Sequence, residues 1–405
     1  AEEQPWAARA LAAAAAACLS VALLSPPAAL ARDLSTGSGS RVNKDPVSLL
    51  QLALPLEETL GEREVEPVRT LQRQVEQLKA NTLLRLYDKV ASSAQDADRL
   101  VTSNKKELLK PVAAERRAAA EEIAAKIDAE LQLTAKGIEQ GMRAEAATEK
   151  DAEAAKEVIR TAANLQNLVG ELETLMVPPG YEAPTPAVDV PASLPQLKGR
   201  AVVEVTLKRP ADSKDKKYSI DAEIYESAKM KIVVDGWSLP VTSGNFIDLV
   251  DRGFYNGMKI QRADGFIIQT GDSGPTDENG FRPGPGQKVR RIPLEVGIKG
   301  RTQALYGETM DEARLVGKPV KIPFQVDGTL AMARTEFDND SASSQVFLFL
   351  FESDMTPGGK NLLDGRYASF GYTVDGVEFL RQIKEGDVIE SIKIVEGADK
   401  LVRGA

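Results

Sequence analysis

The sequence predicts a multidomain chain: an N-terminal all-α helical bundle, then a C-terminal closed antiparallel β-barrel with two flanking helices and a long insertion. Two changes of pattern predict it. Apolar residues recur at helical spacing from Pro46 to Met176, whereas from Gly199 onward β-branched residues alternate with polar ones. Between these regions, Val177 to Gly199 is rich in proline and almost without apolar period, as an extended linker is. A chain of 405 residues has room for two or three such domains.

Taken in order, residues 1–31 read as a targeting segment. Ala10 to Leu24 is an uncharged Ala/Leu-rich run, Arg9 precedes it, and Ala29-Leu30-Ala31 follows as a cleavage pattern. The run is short for a membrane span, so no stable span is expected once it is removed. Residues 32–45 are Ser/Gly-rich and are expected to lack structure.

Residues 46–176 form the helical bundle. Val68, Leu71, Val75 and Leu78 make one stripe, continued by Leu83, Leu86 and Val90. Pro111 interrupts the pattern, because proline has no N–H to donate. Ile123, Ile127, Leu131 and Ile138 follow, then Val158, Ala162, Leu165, Val169, Leu172 and Met176. Such stripes pack as a bundle core, although the last one also fits an exposed coiled-coil seam. Residues 177–198 are the Pro-rich linker. In the final region, residues 199–405, strands are expected at Ala201–Leu207, Met230–Val234, around Ile260, Phe266–Gln269, Thr329–Ala333, Val346–Phe351 and Ile389–Val395. A short helix is expected over Ser243–Val250. Many short strands with two helices indicate a barrel.

Composition excludes much chemistry. The chain has no histidine, and its one cysteine, Cys18, lies in the targeting segment. Ser-His-Asp and Cys-His catalysis and His/Cys zinc sites are therefore out of reach. The net charge of −9 argues against nucleic acid as a partner. No cofactor or metal motif is recognised. Gly284-Pro285-Gly286 lacks the Gly-Lys-Ser/Thr of a phosphate loop and reads as a turn.

Two stretches carry the sharpest signal. One runs Tyr255-Asn-Gly-Met-Lys-Ile-Gln-Arg262 and on through Gly265-Phe-Ile-Ile-Gln-Thr-Gly-Asp272. The other is Leu330-Ala-Met-Ala-Arg334, followed by Ser343-Ser-Gln-Val-Phe-Leu348. With Asn245-Phe246 ahead of them, they resemble the core of the cyclophilins, the peptidyl-prolyl cis-trans isomerases built on an eight-stranded barrel. The resemblance implies Arg262 as the catalytic arginine and Gln269 as a hydrogen-bonding partner of the substrate backbone. It implies Phe266, Ile267 and Phe347 as walls of a proline pocket, with Leu362, Leu363 and Tyr367 at its rim. Ala333 and Gln345 match positions that contact the residue before the proline. Departures stand beside these matches. The histidine before the arginine is Gln261, the loop after it is shortened to Ala263-Asp264-Gly265-Phe266, and Arg334 replaces an asparagine. Leu362 replaces the pocket tryptophan and Tyr367 the rim histidine.

The order of segments resembles the multidomain thylakoid-lumen cyclophilins of plants and green algae. That likeness implies a lumenal location, proline-containing segments as ligands, and lumenal loops of photosystem II core subunits as partners in assembly and maintenance. A bacterial periplasm gives the same local export signal. Two functions stay open at this level: a working isomerase centred on Arg262, or a weak or inactive domain acting as an assembly chaperone. The tethered prolines add a further alternative to a plain spacer, namely a linker or bundle folded over the groove.

Overall fold

The structure is a computed structural model, and it describes residues 45–141, 149–187, 189–220, 223–274, 279–350 and 361–404. The targeting segment and nearly all of the Ser/Gly-rich stretch lie outside the described residues. Val47–Tyr181 forms one compact unit, and the chain from Glu182 onward belongs to another.

The first unit is helical. Its elements are α1 (Pro46–Leu52), α2 (Leu56–Leu60), α3 (Glu62–Leu83), α4 (Tyr87–Val101), α5 (Lys105–Leu109), α6 (Arg117–Gly141) and α7 (Glu149–Met176). The long helices pack in a ring, α3 on α4, α4 on α6, α6 on α7 and α7 on α3. The stripes Val68, Leu71, Val75, Leu78 and Val158, Ala162, Leu165, Val169, Leu172, Met176 are buried in it. The 4-3 spacing of α7 therefore serves the core, and no zipper seam is left exposed there. Each fully buried Leu or Val contributes about 1.5–3 kcal/mol. The expected continuation through Leu83 and Leu86 fails. Both are exposed, because α3 ends at Leu83 and Arg85 turns the chain with φ of 56°. Pro111 falls between α5 and α6, as its missing donor requires.

The second unit is built on one eight-stranded antiparallel sheet. Its strands are β2 (Arg200–Lys208), β5 (Ala228–Asp235), β6 (Arg262–Ala263), β7 (Ile267–Thr270), β10 (Thr329–Met332), β11 (Val346–Phe349), β12 (Ser369–Asp375) and β13 (Val388–Glu396). Their order is β13-β2-β5-β12-β10-β11-β7-β6. The sheet curls around Val205, Met230, Phe246, Ile268, Leu330, Leu348 and Ile392. The segment ahead of β6 touches β13 through the bridge Lys259–Val388, with Gly257 N donating to Ile389 O (2.7 Å) and Ile389 N to Met258 O (2.8 Å). No ladder joins β6 to β13 among the described residues, so the structure is a curled sheet, and the expected full closure is not confirmed.

Among the described residues one flanking α-helix is present, α8 (Pro240–Asp251); in place of the expected second, Val377–Gln382 forms a 3₁₀ segment. The first is longer than Ser243–Val250 because it has a pre-formed start. Proline occupies its first turn, and its free N–H groups find an acceptor in Glu295. The Glu295 carboxylate accepts from Val241 N (3.3 Å), Thr242 N (2.7 Å) and the Tyr306 hydroxyl (2.8 Å). Two-stranded pairs complete the unit: β3 (Tyr218–Ile220) with β4 (Glu223–Tyr225), β8 (Glu295–Val296) with β9 (Leu305–Tyr306), and β1 (Gln196–Leu197) with β14 (Leu401–Val402).

From Glu182 on, the linker is not a free spacer. Val190, Leu194 and Leu197 are buried, β1 is paired, and the Gln196 backbone lies against Gly244 of α8. These contacts lie at α8 and the last strand.

Candidate functional site

Register places the key side chains in one line. Arg262 faces Gln269 across β6–β7, Gln269 faces Phe347 across β7–β11, and Phe347 faces Ala331 across β11–β10. Facing residues in a ladder point to the same side of the sheet. Arg262, Gln269, Phe347 and Ala331 thus form a row on the outer face, while the alternate residues Ile268, Val346, Leu348 and Leu330 line the interior.

Around this row lies an apolar cluster of Ile267, Phe324, Ala331, Ala333, Phe347, Phe349 and Leu363, with Tyr367 packed against it. The Phe347 ring stacks parallel to Phe324 at 6.1 Å and meets Tyr367 edge-on at 5.8 Å. Arg334 lies over the Tyr367 ring at 5.2 Å and donates from Nε to Arg366 O (3.1 Å). It is a strut for the rim. Burial pushes the Tyr367 hydroxyl pKa up, although Arg334 opposes the shift, so the group stays a neutral donor. Phe266 and Leu362 sit at the margin, 40% and 37% exposed, where an incoming chain can cover them.

The polar side of the site is an amide network. Gln345 Oε1 accepts from Gln269 Nε2 (2.7 Å) and from Gln261 Nε2 (2.8 Å), while Gln261 Oε1 accepts from Asp272 N (3.0 Å). Gln261, where the related pattern has histidine, therefore orients Gln345. The strand carrying Gln345 is anchored from behind. Asn245 Nδ2 donates to Ser343 O (2.6 Å), and the Tyr255 hydroxyl donates to Ser344 O (2.8 Å).

Arg262 is paired with Asp264. Nε donates to Asp264 Oδ2 at 2.6 Å, and Nη2 contacts the same oxygen. Nη1 is buried and has no hydrogen-bond partner. Burial raises the Asp264 pKa, but the Ile267 and Phe266 N–H groups and the arginine more than offset this and hold it below the usual range.

All the expected site residues thus fall on one face or its margin. Sequence reasoning missed Phe324, which comes from the long insertion and carries no local pattern. It also missed Asp364, which anchors that phenylalanine. Asp364 Oδ1 accepts from Phe324 N (2.9 Å) and Oδ2 from Asn361 N (3.2 Å), and burial raises its pKa to about 6. No group of acidic residues able to hold a metal ion occurs among the described residues.

Comparison with known proteins agrees with both halves of this picture. Residues 219–401 match the model of the cyclophilin type peptidyl-prolyl cis-trans isomerases. Residues 45–177 match that of the PsbQ-like domain of CYP38-like peptidyl-prolyl cis-trans isomerases. The chloroplastic peptidyl-prolyl cis-trans isomerase CYP38 of Arabidopsis thaliana is 38% identical, over 88% of this chain and 75% of its own length. A Synechocystis protein named as a thylakoid lumen peptidyl-prolyl cis-trans isomerase is 34% identical, over 89% of this chain and 84% of its own. Chloroplastic CYP37 of Arabidopsis is 34% identical over 51% of this chain and 42% of its own.

Proposed function

The chain belongs to the CYP38-like cyclophilin-type peptidyl-prolyl cis-trans isomerases, and on that premise we propose that it isomerises X-Pro bonds at the Arg262 face. The observation that carries this reading is the unpartnered, buried Nη1 of Arg262, set in one row with Gln269 and with Phe347 of the apolar cluster.

The chemistry asks for little else. Amide resonance sets a barrier of about 18–20 kcal/mol, and uncatalysed exchange takes tens to hundreds of seconds. No covalent bond breaks, so neither a nucleophile nor a metal is needed. The proline ring enters the cup formed by Ile267, Phe347 and Leu363. Gln269 and Gln345 hold the flanking backbone. Arg262 Nη1 then donates to the prolyl amide as it twists and its nitrogen regains a lone pair. A buried donor left unpaired costs about 1–3 kcal/mol. Satisfying it only in the twisted state is worth roughly one to two powers of ten in rate, at 1.36 kcal/mol per tenfold.

The location of the relatives supports a thylakoid lumen setting, with lumenal loops of photosystem II core subunits as clients during assembly and maintenance. The alternative is a proline reader with faded turnover, acting as a chaperone. Leu362 in place of a pocket tryptophan favours it, since an indole donor and apolar area are lost. A prolyl-peptide isomerisation assay on wild type and Arg262→Ala separates the two. The expected result is a rate above background that falls at least tenfold in the variant. A wild type without any rate above background that still binds its client would sink the enzymatic reading.

A further inference from the structure

We infer that Asp264 is a positioning residue for the reaction, the group that fixes the Arg262 guanidinium and leaves Nη1 as its unpaired donor; this rests on the catalytic reading of Arg262 given above. The geometry is specific. One carboxylate oxygen, Oδ2, takes Nε (2.6 Å) and Nη2 of Arg262, leaving Nη1 alone without an acceptor. The other, Oδ1, accepts from the backbone N–H groups of Phe266 (3.0 Å) and Ile267 (3.1 Å). A single side chain therefore ties the arginine to the backbone of the pocket wall.

The local sequence makes this possible. Asp264 opens the turn between β6 and β7, and Gly265 follows at φ of +88° with open space around it. That turn brings the carboxylate back over its own strand, two residues from the arginine. A guanidinium held by two of its nitrogens loses rotational freedom before substrate arrives, so less entropy is spent when Nη1 engages the twisting amide. Without the clamp, a side chain 15% exposed has several rotamers to choose from.

Two substitutions separate positioning from support. In Asp264→Asn, the amide oxygen still accepts from Phe266 and Ile267, but the amide nitrogen cannot accept from Arg262. Asp264→Ala removes both links. We expect Asp264→Asn to lower kcat about tenfold with KM within twofold of wild type, and to change nothing further in an Arg262→Ala background. Asp264→Ala should also raise KM, because the pocket wall is released. The inference is overturned if Asp264→Asn keeps kcat within twofold of wild type, or if its effect is undiminished on Arg262→Ala. Wild type and Arg262→Ala turning over equally would instead mean that the catalytic reading itself has failed. The same cycle is then read as affinity for a succinyl-Ala-Ala-Pro-Phe peptide. An Arg262-dependent loss of about fivefold still supports the clamp, and equal affinities overturn it.

Discussion

Replacing Glu173 by glutamine should stabilise the helical unit at pH 8 and leave it nearly unchanged at pH 5. Glu173 lies fully buried on α7 and shares Arg69 of α3 with Glu57. Arg69 gives Glu57 both Nε (2.7 Å) and Nη2 (3.0 Å). Its Nη1 is divided among Glu173 Oε1 (2.9 Å), Gln51 O (2.9 Å) and Gln72 Oε1 (3.1 Å), and Glu173 Oε2 is buried with no partner. One guanidinium thus serves two carboxylates, and the better-paired one is Glu57. Burial wins over the attraction and raises the Glu173 pKa from 4.5 to about 7. The folded state keeps this proton to higher pH than the unfolded state does. Stability from the protonated form is fully present below pH 4.5 and is lost as pH rises through about 7. At 1.36 kcal/mol per unit the loss is about 3 kcal/mol. Glutamine has no charge to desolvate, so the variant should escape that loss. The assay is urea unfolding of the whole chain at pH 5 and pH 8. Circular dichroism at 222 nm follows the helices, and Trp237 fluorescence follows the other unit. With m of about 1–3 kcal/mol/M, the helical midpoint of Glu173→Gln at pH 8 should rise by roughly 1–3 M. A wild-type helical transition that does not move between the two pH values would refute this. So would a variant destabilised at pH 8, the result expected when a net-favourable buried pair is broken.

The remaining predictions concern the cyclophilin unit. Asp364→Asn should flatten part of that unit's acid-side stabilisation. The folded pKa of about 6 exceeds the ordinary 3.8, so wild type loses up to about 3 kcal/mol as pH rises from 4 to above 6. Glu295, also raised by burial, should keep the variant's slope from vanishing, and Trp237-monitored melts across that range measure the difference. Gly271→Ala should destabilise the same unit by about 2 kcal/mol or more. Its φ is +96°, and a Cβ there would lie 2.3 Å from Ser344 O and 2.9 Å from Gln345 Cα. Because Gln345 is displaced, peptide affinity should fall as well; a variant matching wild type in both melting and peptide titration would contradict this.

The sequence exposed those parts of the fold where one face of an element is wet. Alternation in Ala201–Leu207 marked β2, because its partner face is only half covered. Ser369–Asp375 escaped notice although it is central. Its first five residues, Ser369 and Thr373 included, are all buried, so no alternation of wet and dry faces marks the strand, and Gly371 sits there because Val233 O lies where a Cβ would be. Arg262, Gln269 and Phe347 were legible because motif order holds them, and register then explains why they meet. Phe324 and Asp364 were not, since their roles depend on contacts between distant stretches of chain. The apolar character of Leu83 and Leu86 misled, because helical period alone does not reveal where a helix stops.

The pairing of β1 with β14 also has a mechanical side. Gln196 lies opposite Val402 and Leu197 opposite Leu401 in antiparallel register. The chain toward the helical unit and the chain toward the C-terminus leave this pair on the same side. A pull applied through the linker against the tail would therefore open the pair like a zipper, one bond after another, and would not load its hydrogen bonds together in shear. Gly404, packed on the Ala192 and Ser193 backbone, is the first latch such a force would meet. The last strand would yield at low force while the eight-stranded sheet, and with it the Arg262 face, stayed intact.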